Sequence, residues 1–382
     1  MSHIAFLNIP GHGHVNPTLP VVTELVARGH RVTYAVPSDF TTLVEHAGAI
    51  PVVYPTTLPT EAEEWPTEMA PAMKLFLDEA VTVLPVLEAA YADDRPDVVV
   101  YDIGAWTARI LAARWGVQAI QFSPTFVAYE GWEEDMGAIN DTPEMKATYA
   151  DIDAWLNAEG CTTPAQTYVG HPDRAIVSIA RSFQYGETVA DKYTFVGPCI
   201  GDRSFQGTWQ PPTDNRPVLL ISLGSAYTNE PAFYRTCLKA FGGQDWHVVM
   251  NIGKHVDPAS LGEIPTNVEL HGWLPQLEIL SHAKVFITHC GMGGTMEGLY
   301  HGVPMIGVPN IGEQTMNAQR LAELGVGKHL PREEVTVEAL REAVRELTDN
   351  EEVTTRLTTI RDEIRSAGGT KAAADVVEEA LR

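Results

Sequence analysis

A glycine-rich segment that follows an apolar run has the residue types and spacing to bind an anion. The run 285–288 leads into His289, and the segment 291–294 supplies three glycines before a helical pattern begins. Glycines let backbone N–H groups approach a ligand, and the start of a helix adds a favourable dipole. The segment differs from a Walker loop because it lacks the GxxxxGK(S/T) motif. It predicts a binding site for phosphate groups.

Two residues near this segment suit the rest of a nucleotide. Glu297 lies on the predicted helix, where its carboxylate could accept hydrogen bonds from both hydroxyls of a ribose. Trp273 follows the predicted strand 268–271 and offers a flat face for a base. Taken singly, Trp273 could equally be a core residue and Glu297 an ordinary solvated side chain. In this order, together with the glycines, they predict a site for a nucleotide diphosphate sugar.

A histidine near the N-terminus and a later aspartate suit acid–base catalysis. His14 follows the first apolar run, and the Asn16-Pro17 pair favours a helix that begins there. Asp102 follows another apolar run, so both side chains are expected at the carboxyl edge of one sheet. A carboxylate that accepts the imidazole N–H leaves the other ring nitrogen as a base. The alternative is structural, with His14 bonded to its own turn and Asp102 capping the next helix.

Other motifs are matched only in part. A dinucleotide fingerprint GxGxxG begins at Gly11 but has Asn16 in place of its third glycine, which weakens a dehydrogenase interpretation. The two histidines of the same segment have the spacing of a metal pair, yet no other cluster of ligands supports them. The DxD pattern at 151–153 lies in an amphipathic pattern over 149–156 and predicts a solvated helix face. We therefore predict no metal and no cofactor.

Composition narrows the class of protein. With 382 residues, 45% of them hydrophobic, the chain suits two globular domains of about 100 to 200 residues each. A formal net charge of −24 disfavours nucleic acid and anionic membranes as partners. The N-terminus has no signal-like pattern, no apolar run is long enough to span a bilayer, and the four cysteines form no CxxC pair. These features predict a cytoplasmic protein.

Apolar runs alternate with helical patterns in two series, which predicts an α/β fold with two parallel sheets. The first series includes strands over 4–9, 31–36, 98–101 and 117–122; the second includes 218–223, 246–252, 268–271, 285–288 and 304–308. A Pro- and Gly-rich stretch separates them. We expect a first domain over 1–205, a linker over 206–217, a second domain over 218–365, and a C-terminal helix over 366–382 that packs back on the first domain.

Two segments of the first domain depart from this alternation and are candidates for a second ligand pocket. They cover 58–72, with its prolines and glutamates, and 124–142, with aromatic residues and an acidic run. Ligands in open α/β sheets bind where long connections gather at the carboxyl ends of strands. The alternative is a pair of ordinary solvated loops. The aromatic and apolar side chains expected to line the pocket are Trp65, Met73, Phe76, Phe126, Tyr129 and Trp132.

These residues resemble the inverting, nucleotide-sugar-dependent glycosyltransferases of the GT-B fold, and most of all the bacterial macrolide glycosyltransferases. The likeness covers nearly the whole chain and is carried by the segments 12–17, 24–35, 101–102, 193–197, 222–226 and 273–276. It implies two Rossmann-like domains facing across a cleft, with the acceptor on the first and the donor on the second. His14 would be the base and Asp102 its partner.

The resemblance also implies the residues that bind the donor. They are Ser225, Trp273, Leu274, Gln276, His289, Gly291, Gly293, Gly294, Thr295, Glu297, Glu313 and Gln314. Two departures from the family pattern matter: the segment 292–294 replaces a plant-type Trp-Asn-Ser, and Glu313 stands where aspartate is usual. The longer carboxylate leaves the donor sugar open between UDP-glucose, which we expect, and a dTDP-deoxysugar.

The expected activity is hexose transfer to a hydroxyl of a macrolide-like or phenolic natural product such as a flavonoid. A sugar-nucleotide epimerase of the same fold and a non-catalytic nucleotide-sugar-binding protein are the alternatives. The acidic residues Glu130, Glu133, Glu134 and Asp135 would favour an acceptor with a protonated amine. The biological role, antibiotic resistance or biosynthesis, stays open at this point.

Overall fold

A computed structural model describes residues 1–60, 64–203, 206–224, 228–310 and 312–382. The chain divides into two compact units: Met1–Gly201 with Ala367–Arg382, and Asp202–Ser366. Among the helices in these ranges, none has the length and apolar character needed to cross a membrane.

The first unit is built on a seven-stranded parallel sheet in the order β3-β2-β1-β4-β5-β6-β7. Its strands are β1 His3–Leu7, β2 Arg31–Val36, β3 Ile50–Val53, β4 Val98–Asp102, β5 Gln118–Ser123, β6 Ala175–Val177 and β7 Tyr193–Phe195. Its helices are α1 His12–Val15, α2 Leu19–Ala27, α3 Thr41–His46, α4 Met69–Ala90, α5 Thr107–Trp115, α6 Trp132–Asp135, α7 Gly137–Asn140, α8 Pro143–Ala158 and α9 Ala165–Gly170.

The second unit has a six-stranded parallel sheet in the order β10-β9-β8-β11-β12-β13. Its strands are β8 Val218–Ser222, β9 His247–Asn251, β10 Val268–His271, β11 Ala283–Thr288, β12 Met305–Gly307 and β13 Gly327–His329. Its helices are α10 Pro231–Phe241, α11 Gln276–Leu280, α12 Met292–His301, α13 Gly312–Glu323, α14 Val337–Thr348 and α15 Glu351–Ser366; the last helix of the chain, α16 Gly369–Glu379, belongs to the first unit.

The predicted parallel sheets are confirmed. Strands β4 and β8 are buried along their whole length, as expected for apolar runs covered on both faces of a sheet. Strands β1 and β4 are direct neighbours, so the residues that follow them meet at the same edge. Helices α5 and α12 both end at a glycine with positive φ, Gly116 and Gly302, which closes the last turn.

The predicted start of the N-terminal helix at Asn16 and Pro17 is wrong. A one-turn helix, α1, covers His12–Val15, and α2 begins at Leu19 after a turn. The Gly11 carbonyl accepts the N–H groups of both His14 and Val15, which closes the first turn early. His14 therefore lies on a helical turn of its own rather than in an open loop.

The two segments that depart from the alternation of strands and helices both contain helical residues. Helix α4 begins at Met69, inside the segment 58–72, and two single-turn helices, α6 and α7, lie within 124–142. The predicted linker 206–217 belongs to the second unit, where the backbone N–H of Trp209 donates to Glu278 and its indole to Glu269. Tryptophan burial explains why this Pro-rich stretch is anchored.

The C-terminal helix packs on α2. The Arg28 guanidinium contacts Asp375 at 2.6 Å and Glu378 at 2.7 Å. Ala373, Ala374 and Val377 have no exposed surface and share one core cluster with residues of α2.

Candidate active site

The imidazole of His14 is oriented by the carboxylate of Asp102. His14 Nδ1 lies 2.7 Å from Asp102 Oδ2, and the other Asp102 oxygen accepts the backbone N–H of Gly104 at 2.8 Å. The aspartate side chain is 1% exposed, whereas that of His14 is 32% exposed. A buried carboxylate beside Nδ1 fixes the tautomer in which Nε2 accepts protons. Asp102 thus both caps its own turn and orients the histidine.

The turn that carries His14 is held in place by a hydrogen bond from the side chain of Asn8. This buried amide donates to the His14 carbonyl at 3.1 Å and to the Tyr34 hydroxyl at 2.7 Å. The position of the imidazole therefore depends on a polar network at the end of β1. Sequence reasoning did not find Asn8, although its place directly after a strand at the sheet edge is a usable signal.

His14 forms part of the wall of a cavity of about 350 Å³ within the first unit. Four of the six side chains predicted for a second ligand line this cavity: Met73, Phe76, Phe126 and Trp132. The wall is mostly apolar; beyond these residues it is formed by parts of α4, α8, α9 and the segment 124–142, and by residues that follow β1 and β4. The volume lies in the range of pockets for drug-sized molecules.

The other two predicted side chains do not line the cavity. Trp65 packs its ring 5.8 Å from that of Phe76 and donates its indole N–H to the Pro59 carbonyl. Tyr129 packs edge-on against Trp132, with ring centroids 5.5 Å apart, and donates its hydroxyl to Asp135. Both side chains pack against a residue that lines the cavity, Phe76 or Trp132, and bury their apolar ring surface in that contact.

The polar groups at the cavity include Glu133, one of the acidic residues noted in the sequence, and Tyr193, which sequence reasoning missed. Glu133 lies in the wall and pairs with His171 Nε2 at 3.1 Å. The Tyr193 hydroxyl is buried without a hydrogen-bond partner among the described residues, and its side chain also lines the cavity. Burial, followed by the charge of Glu133, raises the pKa of Tyr193 to about 12, so the hydroxyl stays protonated and able to donate.

In the second unit, His289 lies between two glycines at the end of β11. A Cβ added at Gly224 would come within 2.5 Å of the imidazole, and one added at Gly291 would come equally close to its Nε2. The next residue, Cys290, has φ of 61°, a left-handed conformation that is rare for side chains other than glycine. Strain of this kind is concentrated at functional sites.

Helix α12 starts directly after this turn, with Gly291 as its N-cap residue. Its first N–H groups have no partner within the helix, and a Cβ built at Gly293 would meet nothing within 4 Å. Open space at a helix N-terminus is suited to an anion. By contrast, Thr295 is fully buried, and its hydroxyl has no hydrogen-bond partner among the described residues.

His289 is neutral at physiological pH. Burial, and next the nearby Arg332 guanidinium, lower the pKa of His289 to about 4. A neutral imidazole donates one N–H and leaves the other nitrogen as an acceptor. Beside an anion, such a group offers a hydrogen bond and no fixed positive charge.

The carboxylate of Glu297 is held from two sides. Gln276 Nε2 donates to one oxygen at 2.7 Å, and Arg203 Nη1 donates to the other at 2.6 Å. Trp273, three residues before Gln276, is 47% exposed, whereas Leu274 is buried in the core at 4%. The structure thus joins two of the predicted donor residues directly and adds Arg203, which sequence reasoning missed.

Helix α13 packs against the turn between β11 and α12 and holds it through a hydrogen bond. Gln314 is buried and accepts the Asn310 N–H at 2.8 Å, and Asn317 donates to the Cys290 carbonyl at 2.9 Å. Glu313 lies exposed in the first turn. Asn317 was missed, although it follows Gln314 by three residues and so shares its helix face. Ser225 lies outside the described residues.

The DxD pattern has a structural explanation. Asp151 is exposed on α8, as predicted, while Asp153 accepts the Ala165 N–H at 2.7 Å and so holds the start of α9. The neighbouring Ile152 is fully buried.

Solved structures share this whole architecture. A glycosyltransferase of kitacinnamycin is 43% identical, with a TM-score of 0.92 over 100% of this chain and 99% of that one. The calicheamicin glycosyltransferase CalG4 is 36% identical, with a TM-score of 0.88 over 100% and 98%. The fold and site define a glycosyltransferase of the GT-B fold.

Sequence relatives lead to the same class. The family described as UDP-glucoronosyl and UDP-glucosyl transferase matches residues 205–363. The oleandomycin glycosyltransferase of Streptomyces antibioticus is 47% identical over 100% of this chain and 91% of its own length. The demethyllactenocin mycarosyltransferase of Streptomyces fradiae is 36% identical over 100% and 87%. The chain belongs to this family of glycosyltransferases, and the predicted resemblance is confirmed.

Proposed function

We propose that this enzyme transfers glucose from UDP-glucose to a hydroxyl of a macrolide-like or phenolic natural product in the cytoplasm. The observation that carries the proposal is the His14–Asp102 pair, with a partly exposed imidazole in the wall of an apolar cavity. A base at the edge of a mostly apolar pocket suits a large, poorly polar acceptor with a reactive hydroxyl.

The proposed chemistry is a single displacement. His14 Nε2 takes the proton of the acceptor hydroxyl while the hydroxyl oxygen bonds to the anomeric carbon. The bond from that carbon to the diphosphate oxygen breaks, UDP leaves with the electron pair, and the anomeric configuration inverts. Asp102 stabilises the imidazolium that forms.

The second unit supplies the stabilisation of the leaving group. In our proposal the diphosphate lies at the N-terminus of α12, near Gly293 and His289. The N–H groups of the first turn, which have no partner within the helix, and the N–H of a neutral imidazole donate to the developing charge. This arrangement needs no metal ion.

Glu297 is the proposed partner of the donor's ribose and Trp273 of its base. A carboxylate has acceptor sites for two hydroxyls, which favours a ribonucleotide such as UDP over a 2′-deoxyribonucleotide. Glu313, exposed in the first turn of α13, is the proposed contact of the sugar. The relative named a mycarosyltransferase makes the sugar itself the first variable to test.

The name of the oleandomycin glycosyltransferase supports a macrolide acceptor. The test is transfer by purified protein followed by mass spectrometry, with UDP-glucose and dTDP-glucose offered against macrolides and flavonoids. We expect a product heavier by one hexose that disappears with His14→Ala. Conversion of the donor sugar alone, with no acceptor product, would instead support an epimerase.

A further inference from the structure

Each oxygen of the Glu297 carboxylate already has a donor within the second unit. Arg203 Nη1 lies 2.6 Å from one oxygen and Gln276 Nε2 lies 2.7 Å from the other. The side chains of Arg203 and Glu297 are only 13% and 6% exposed. This ion pair is therefore buried on both sides, unlike most surface pairs of the protein.

Burial decides whether Arg203 and a ribose are able to share Glu297. With 6% of its side chain exposed, Glu297 offers almost no surface on which two hydroxyl groups could be placed. Gln276 donates to one oxygen, so among the described residues it is Arg203 that covers the other one. Each oxygen has a second lone pair, but with so little exposed surface a ligand gains access to the oxygen bound by Arg203 only if the guanidinium moves away.

We propose that Arg203 is an internal competitor of the donor: its guanidinium occupies the Glu297 carboxylate until the ribose hydroxyls replace it. The inference rests on the proposed ribose role of Glu297. One N–H donor is exchanged for an O–H donor at the same oxygen, so the carboxylate is never left buried without a partner.

Competition of this kind lowers the apparent affinity for the nucleotide, because only molecules in which Arg203 has left Glu297 are able to bind the ribose. The affinity is reduced in proportion to that fraction of molecules. A charge-assisted hydrogen bond corresponds to about a tenfold or greater bias toward the closed state. The same bias aids turnover, because the guanidinium returns to Glu297 as UDP leaves. Arg203 thus sets both the affinity for the donor and the release of the product.

The test measures UDP binding by calorimetry, which is independent of catalysis. Arg203→Ala is expected to bind UDP about tenfold more tightly than the unaltered protein. Arg203→Gln, which keeps a neutral donor, should fall between the two. Arg216→Ala is the matched control, since Arg216 pairs with Asp214 on the same N-terminal stretch of this unit; its UDP affinity should not change.

A double-mutant cycle with Glu297→Ala completes the test. In the Glu297→Ala background, Arg203→Ala should no longer alter UDP affinity, because the competition has lost its target. If Glu297→Ala alone leaves UDP binding unchanged, the ribose role itself fails. If Glu297→Ala weakens binding while Arg203→Ala weakens it or leaves it unchanged, Arg203 is a structural or positioning residue and the competitor role is overturned. Thermal melting of each variant establishes that it is folded.

Discussion

His14 Nδ1 and Asp102 Oδ2 lie 2.7 Å apart although 88 residues separate them in the chain. They meet because β1 and β4 are neighbours in a parallel sheet: Asp102 is the last residue of β4, and His14 lies on α1, which follows β1 at the same edge. The sheet places both side chains at one edge before any ligand is bound. The position of the imidazole then depends on the sheet edge and on the Asn8-bound turn that carries His14.

Replacing His14 by alanine should lower kcat by about 10²- to 10⁴-fold, the usual contribution of a positioned general base. UDP affinity should stay the same, because the proposed nucleotide contacts lie in the second unit. Product formation and calorimetry on the same preparation test both halves. Unchanged turnover would remove His14 from the mechanism.

Asp102→Asn separates orientation from capping. The amide oxygen is still able to accept the Gly104 N–H, so the melting temperature should change little. The imidazole, however, loses the anion that stabilises its protonated form, and kcat should fall by about 10²-fold or more. A large loss of stability with normal kcat would show that the aspartate is mainly structural.

Gly291 and Gly293 should fail in different ways when changed to alanine. The new Cβ of Gly291→Ala would lie 2.5 Å from His289 Nε2, so the folded protein should melt at a lower temperature. Gly293→Ala meets nothing within 4 Å and should fold normally. If a diphosphate occupies that space, Gly293→Ala should bind UDP more weakly, and normal UDP affinity would exclude the position.

His289 should make stability fall as the solution is acidified. Its pKa is lowered to about 4 in the folded protein, against 6.5 for an unperturbed histidine. Between these values the unfolded chain binds a proton that the folded chain does not, so stability is lost as pH drops. Between pH 7 and 5 this contributes about 2 kcal/mol. Urea unfolding of the unaltered protein and of His289→Asn at both pH values should show that difference.

Glu133 and Glu134 are neighbours on α6, yet only Glu133 lines the cavity. Glu133→Gln should raise KM for an acceptor with a protonated amine by up to about fivefold, as expected for an exposed ion pair. KM for a neutral flavonoid should not change, and Glu134→Gln should affect neither. If both variants raise KM equally, the preference for a protonated amine comes from the general surface charge and not from Glu133 in the cavity wall.

The sequence predicted the sheets better than it predicted the contacts of side chains. A continuous apolar run such as 218–223 indicates a strand that is covered on both faces of its sheet. Two such strands with His14 and Asp102 after them then predicted that these side chains lie at the same edge. Arg203 gives no such signal. It lies 94 residues from Glu297 in a stretch without periodicity, and a single arginine there is indistinguishable from a solvated one.

The start of α2 shows a different limit. Asn16 and Pro17 are good helix-starting residues, yet the backbone bonds of Gly11 close a separate turn first. Local preference was overridden by the need to place the residues after β1 at the sheet edge. Trp65 and Tyr129 were similarly assigned to the cavity from their type, whereas packing against Phe76 and Trp132 decided their positions.

The return of α16 to the first unit bears on how this chain folds during synthesis. Val377 and its neighbours complete a core that also contains Leu25, yet they leave the ribosome after the whole of the second unit. The second unit is contiguous in sequence and is able to fold first, while the earlier-made unit waits with an incomplete core. A chain that stops shortly before residue 367 would therefore leave His14 in a unit whose core lacks α16.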